Sequence, residues 1–143
     1  MINDSGLASK FRELVGLAHL IEDRRMREKG VSLAQSRLLE VIQQTPRARW
    51  SDIETALGYS PRTITEAIDA LVRDDLVTRT PDPTDRRARI LTITRKGARQ
   101  LSAAQKARDR VRAVMFGVLD GREREQLFEM LERMRKAAQS LDE

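Results

Sequence analysis

Arg86, Arg87 and Arg89 follow one another just after the proline-punctuated stretch Pro81-Asp82-Pro83-Thr84-Asp85, and Arg62, Thr63, Thr65 and Glu66 follow a Ser60-Pro61 pair. The first group is rich in guanidinium, which neutralises phosphate oxygens and is drawn into narrow electronegative grooves. The second combines a bidentate donor, two short hydroxyls and an acceptor, the groups that touch phosphates and read base edges. Neither group places a nucleophile beside a base. The 143-residue sequence has no Cys and a single His, His19. That excludes disulfides, thiolate zinc sites, a Cys nucleophile, thiol-based redox sensing and His-based metal clusters. With no Gly-rich phosphate loop and no paired acid motif either, no catalytic set can be assembled, and neither an enzyme nor a metal or cofactor is expected.

Charge points the same way. The chain carries 27 Lys plus Arg against 22 Asp plus Glu, a net charge of +5. Between Arg79 and Arg99 stand seven basic residues opposed by Asp82 and Asp85, so this stretch holds the whole excess. A basic address of this kind suits a polyanion such as nucleic acid or an anionic membrane. Residues 1–10 are polar and lack the apolar region of a signal peptide, and no apolar run reaches membrane-spanning length. A cytoplasmic protein with no membrane partner is expected. The composition, 40% hydrophobic and 34% charged with 3% aromatic, suits a helical protein with wide solvated faces around one core.

The elements that must hold these residues can be read from periodicity and caps. Leu7, Phe11, Leu14, Ala18 and Ile21 follow helical spacing, widened by Val15, Leu17 and Leu20, and the helix is expected to run to Gly30. Ser32 and Gln35 form a capping box for a second helix through Leu38, Leu39, Val41 and Ile42, ending before Thr45-Pro46. Ser51 and Glu54 suggest another box, opening a short helix that Gly58 closes. Ser60-Pro61 pairs an N-cap with a first-turn proline. The fourth helix then buries Ile64, Ala67, Ile68, Leu71 and Val72, leaving Arg62, Thr63, Thr65, Glu66 and Asp69 on the other side. Residues 76–80 and 88–94 read as two strands, with 81–85 breaking all regular structure between them. Thr94 can cap a long helix through Leu101, Ala104, Val111, Met115 and Leu119. Asp120 and Glu123 box a last one through Leu127, Met130, Leu131, Met134 and Leu141.

Two helices joined by Gly58-Tyr59-Ser60 make a helix-turn-helix, whose second helix reads a major groove with its N-terminal residues. On that helix Arg62 can bond a guanine edge bidentately, and Thr63 and Thr65 can reach phosphates or a thymine methyl. Glu66 either accepts from a cytosine amine or, by repelling phosphate, leaves affinity to the hairpin. A basic hairpin placed straight after such a helix can enter the adjacent minor groove.

The runs Leu57-Gly58-Tyr59-Ser60-Pro61-Arg62-Thr63-Ile64-Thr65, Asp69-Ala70-Leu71-Val72 and Leu76-Val77-Thr78-Arg79 resemble the core of the MarR family. So does Pro81-Asp82-Pro83-Thr84-Asp85-Arg86-Arg87-Ala88-Arg89 ending in Leu91-Thr92-Ile93-Thr94. The resemblance covers residues 31–101 by motif. It implies a mostly α fold with a small β-wing, a winged helix-turn-helix lobe plus a helical dimerisation region. Residues 1–143 are then a single domain of this type, with dimerisation helices at 7–29 and 95–141 and the DNA-binding lobe at 32–94. It also implies a homodimer reading an inverted repeat in double-stranded DNA. Asp85 and Arg87 take the wing positions in which the carboxylate braces a guanidinium that enters the minor groove, and Arg86 is a further contact. Relatives of this kind are often repressors released by a small aromatic or phenolic effector, bound between the dimerisation helices and the lobe.

No pocket motif stands out in the residues themselves. His19 and Trp50 are the positions to inspect for an effector, although His19 reads first as a packed or dimer-interface residue and Trp50 first as a core or rim packer. An effector-independent architectural DNA-binding protein shares every feature above. The wide apolar stripes over 7–21 and 101–141 exceed what a small winged lobe can cover, so a second copy is expected to cover them.

Overall fold

The computed structural model describes residues 1–142. In chain order the elements are α1 (Asp4–Arg27), α2 (Leu33–Gln44), α3 (Trp50–Leu57), α4 (Pro61–Arg73), β1 (Val77–Asp82), β2 (Asp85–Ile93), α5 (Arg95–Phe116) and α6 (Gly121–Gln139), followed by a 3₁₀ turn at Ser140–Asp142. The chain divides into two compact units, one through Arg108 and the other from Asp109. The helical fold with its two-stranded antiparallel wing is the architecture expected from the sequence.

Most helix ends are set by local chemistry. Ser32 Oγ accepts the Gln35 N–H at 3.0 Å and the Gln35 side chain accepts the Ser32 N–H at 3.0 Å, so two orphan donors are satisfied at once. Asp120 and Glu123 do the same for α6. Gly58 ends α3 in the left-handed region at φ 65°, where a Cβ would be strained, and lets the chain turn into α4 within three residues. Thr94 Oγ1 accepts the Gly97 N–H at 2.9 Å and so opens α5.

In the first unit the core is continuous. Met26 of α1, Leu38, Leu39 and Ile42 of α2, Ile53 of α3, Ile64, Ile68 and Leu71 of α4, Val77 and Leu91 of the wing and Leu101 and Ala104 of α5 are all buried. Each large aliphatic chain removed from water contributes about 1.5–3 kcal/mol, so the apolar face of α4 is what holds its polar face outward. Gly97 marks the tightest approach, since a Cβ there would lie 2.2 Å from the Leu76 carbonyl oxygen and 2.9 Å from Ile93 Cγ1.

Several boundaries differ from those read in the sequence. α1 begins at Asp4, capped by Asn3 accepting the Gly6 N–H at 2.9 Å, and ends at Arg27 before a turn into Gly30. α3 starts at Trp50, with Asp52 rather than Glu54 closing its first turn by accepting the Arg49 N–H at 2.8 Å. The cause is tertiary: Ala48 pairs with Leu91 of β2, whose N–H donates to the Ala48 carbonyl at 2.7 Å, and this places the helix start at the next residues. The break expected over 81–85 shrinks to Pro83-Thr84, because Pro81 pairs with Arg89 and Asp82 with Asp85 across an irregular register. Proline is tolerated there since both strands of a two-stranded sheet are edges. α6 stops at Gln139, so Leu141 lies in the terminal 3₁₀ turn.

The second unit is a short continuation of α5 followed by α6, and no residue of α6 is buried. Phe128, Met130, Leu131 and Met134 are exposed. In the first unit Leu7, Phe11, Leu14, Leu17 and Leu20 of α1 are exposed as well, each by about half. Among the described residues no helix is long and apolar enough to cross a membrane.

Candidate nucleic-acid interface

The start of α4 is built by Ser60 and Pro61. Ser60 Oγ accepts the Thr63 N–H at 3.2 Å and donates to Thr63 Oγ1 at 2.8 Å, while Pro61 occupies the first turn without a donor to satisfy. Arg62, Thr63, Thr65 and Glu66 are all exposed and Ile64 and Ile68 are buried, which gives the polarity expected from the sequence. Arg62 Nε donates to Glu66 Oε1 at 2.9 Å. Trp50 Nε1–H donates to Thr65 Oγ1 at 3.3 Å, so the first residue of α3 steadies a hydroxyl on the outward side of α4. In the turn between the helices, Tyr59 Oη accepts from Arg37 Nη1 at 3.4 Å.

The wing is anchored by a carboxylate that the sequence presents only as a counter-charge. The Asp82 side chain is completely buried at the hairpin tip. Its Oδ1 accepts the Thr84 N–H at 2.9 Å and the Thr84 hydroxyl at 2.8 Å, which closes the Pro83-Thr84 turn as an Asx turn. Arg47 Nη2 donates to the same oxygen at 3.0 Å, and Arg49 Nη2 donates to Oδ2. The Thr84 backbone N–H, then its hydroxyl, then the Arg49 guanidinium hold this carboxyl well below the usual carboxylate range, against the opposing effect of burial. Arg47 adopts a left-handed backbone at φ 53°, a strained state for a side chain with a Cβ, and its ion pair helps to hold it there.

Asp85 does not brace the Arg87 guanidinium, as the resemblance implied. Its Oδ1 accepts the Arg87 backbone N–H at 3.0 Å and its Oδ2 lies 3.9 Å from Arg49 Nη1. A short carboxylate two residues before an amide satisfies that amide locally, which leaves the Arg87 side chain unrestrained. Arg86, Arg87 and Arg89 are exposed and carry no ion pair among the described residues. Asp82 is thus buried against Arg47 and Arg49, while Arg86, Arg87 and Arg89 face water. Arg79 of β1 is tied to α4 through Asp69, 2.9 Å away.

Between α3, α4 and the hairpin lies an open groove of ≈ 410 Å³, lined by Trp50, Thr65, Ile68, Arg79, Arg87 and Leu91 among others. Trp50 is half-buried on its wall, in the packing role that was one reading of it. His19 is exposed on α1 and does not line this groove, so the structure does not bring the two candidate effector residues together there. Arg47, Arg49, Asp69 and Arg79 were missed as members of the site. Arg47 and Arg49 offered one signal, two cations flanking Ala48 just ahead of a helix start. Among the described residues no group of acids and His is arranged to hold a metal.

Comparison with known proteins places this geometry. Residues 31–88 match the model of the MarR family, a span that contains α2, α3, α4 and the arginine tip of the wing. YdgJ of Bacillus subtilis strain 168, an uncharacterised HTH-type transcriptional regulator, is 22% identical over 113 residues, 79% of this chain and 69% of its own. Among solved structures, MepR of S. aureus in complex with DNA aligns with a TM-score of 0.77 and 21% identity, over 91% of this chain and 96% of that one. PcaV of Streptomyces coelicolor in complex with its natural ligand aligns with a TM-score of 0.72 and 24% identity, over 95% and 94%. At these identities the structural likeness speaks for the fold.

Proposed function

We propose that this chain, whose residues 31–88 match the MarR family model, is a DNA-binding transcription regulator of that family, and that it works as a homodimer on an inverted repeat, repressing until a small aromatic or phenolic effector releases it. The observation that carries the reading is the pairing of two outward surfaces on one lobe. The polar side of α4 is shaped for a major groove, and beside it stand three wing arginines with no counter-ion among the described residues. A helix in the major groove and guanidinium in the neighbouring minor groove is a combined contact that duplex DNA offers within one half-site.

The exposed stripes of α1 and α6 support the homodimer. A chain that leaves Leu7, Phe11, Leu14, Leu17 and Leu20 in water on one helix and Phe128 and Met134 on another has apolar surface for an isologous partner. Two lobes held at fixed spacing read half-sites about one helical turn apart. An effector that binds better to a different spacing lowers DNA affinity by that difference and by no more. The groove beside Trp50 offers an aromatic wall and the cations Arg49 and Arg87 to an acidic aromatic compound.

Selection from random duplexes near physiological salt tests the reading. Recovery of an inverted repeat by a dimer, verified by light scattering at micromolar concentration, is the expected result. A monomer at that concentration would remove the two-lobe mechanism. Tight binding with no recovered motif would replace regulation by an architectural role.

A further inference from the structure

We propose that Glu66 is a specificity-determining residue that works as one unit with Arg62. The pair reads a single G·C base pair in one orientation, Arg62 on the guanine and Glu66 on the opposing cytosine. The inference deepens, and rests on, the reading of the chain as a sequence-specific DNA-binding dimer.

The pair sits where base edges are read, one and two turns into α4. Arg62 Nε is engaged by Glu66 Oε1 at 2.9 Å, and the terminal nitrogens of Arg62 and the second oxygen of Glu66 have no partner among the described residues. What remains free is a fork of donors beside one acceptor. The major-groove edge of a G·C pair shows two acceptors, N7 and O6 of guanine, followed by one donor, the N4 amine of cytosine. The two patterns are complementary. Turning the base pair round reverses the order, and an A·T pair in either orientation sets its donor between acceptors, so each alternative brings like groups together.

Helix stability does not account for the pair. Both side chains are far out in solvent, at 88% and 66% exposure, where an ion pair contributes little. Arg preceding Glu is the weaker order for such a pair along a helix, and Arg62 lies in the first turn, at the positive end of the helix dipole. Helix initiation is already served by Ser60 and Pro61. Glu66 also repels phosphate, so it lowers affinity for every duplex that does not give its free oxygen a donor. A group that costs binding on wrong sequences and is satisfied on the right one produces discrimination rather than affinity.

The test is selection from random duplexes with the parent, Arg62→Ala, Glu66→Ala and Glu66→Gln. The parent is expected to recover one G·C position per half-site that Arg62→Ala no longer prefers. Both Glu66 variants should weaken preference at that same position by about five-fold or more, keep the other positions, and bind a motif-free duplex about two-fold tighter or better. Parent-like preference at every position in both Glu66 variants overturns the proposal while leaving the regulator reading intact. Loss at a position other than the one Arg62 controls also overturns it. Failure of the parent itself to recover a motif overturns the regulator reading and this inference together.

Discussion

Asp82 and Arg49 meet at the turn of the wing across 33 residues of sequence, the carboxylate wholly buried and the guanidinium partly in water. Arg49 is also the cap residue of α3, whose first helical residue, Trp50, bonds Thr65 on α4. The angle between the hairpin and α4 therefore rests on a short relay: Asp82, Arg49, Trp50, Thr65. None of the four needs to touch DNA to affect binding.

Removing Arg49 should loosen the wing without abolishing the fold, because Thr84 and Arg47 still hold Asp82 Oδ1 while Oδ2 loses its Arg49 donor. Arg49→Ala is expected to weaken operator binding by roughly three- to ten-fold, as expected when contacting residues lose the support that fixes their geometry, and to leave the oligomeric state unchanged. Equal operator affinity for Arg49→Ala and parent in a fluorescence-anisotropy titration would show that the relay has no part in binding.

The same carboxylate sets a pH dependence. Asp82 has its folded pKa held below the ordinary value of about 3.9, by the Thr84 N–H first, then the Thr84 hydroxyl and Arg49. A depressed folded pKa contributes stability that is complete above the unfolded value and fades as pH falls toward the folded one. The melting-temperature gap between parent and Asp82→Asn is thus expected to be flat from neutral pH down to about 5 and to narrow below about 4. A gap that widens on acidification would contradict this sign.

Arg87 is exposed and held only through its backbone. Arg87→Ala should weaken binding several-fold or more, reduce the slope of log affinity against log salt by about one if the guanidinium neutralises a phosphate, and leave the oligomeric state as in the parent. An unchanged operator affinity at two salt concentrations would refute a role for the wing tip.

Gly97 tests the packing that seats α5 on the lobe. A Cβ there would fall 2.2 Å from the Leu76 carbonyl oxygen, a backbone atom that cannot swing aside. Gly97→Ala is expected to destabilise by roughly 1–3 kcal/mol, the usual penalty of forced overpacking, despite the better helix propensity of alanine. A melting temperature at or above that of the parent would contradict the close approach.

What was legible in the sequence was local. Ser32 with Gln35, Gly58, Ser60-Pro61 and Asp120 with Glu123 mark helix ends because cap chemistry acts over three or four residues, and all are found where they were read. The outward residues of α4 followed from the period of its buried ones. What was hidden depends on partners far along the chain. Asp82 looks like one of two acids diluting a basic stretch, and its cations stand 33 and 35 residues earlier. The start of α3 was misplaced for the same reason, since the Ala48–Leu91 bridge that sets it joins two segments with no shared motif. Pro81 and Asp82 read as breakers because proline and aspartate usually are, but an edge strand and an Asx turn accommodate both.

The bare surface of α6, with no residue buried, has a consequence for how much protein a cell must make. If those apolar side chains are covered by a second copy, the DNA-competent species grows with the square of chain concentration while chains are scarce. Halving expression would then remove about three quarters of the active species rather than half. Gene dosage, protein turnover and dilution at cell division would become inputs to the switch, acting before any effector does.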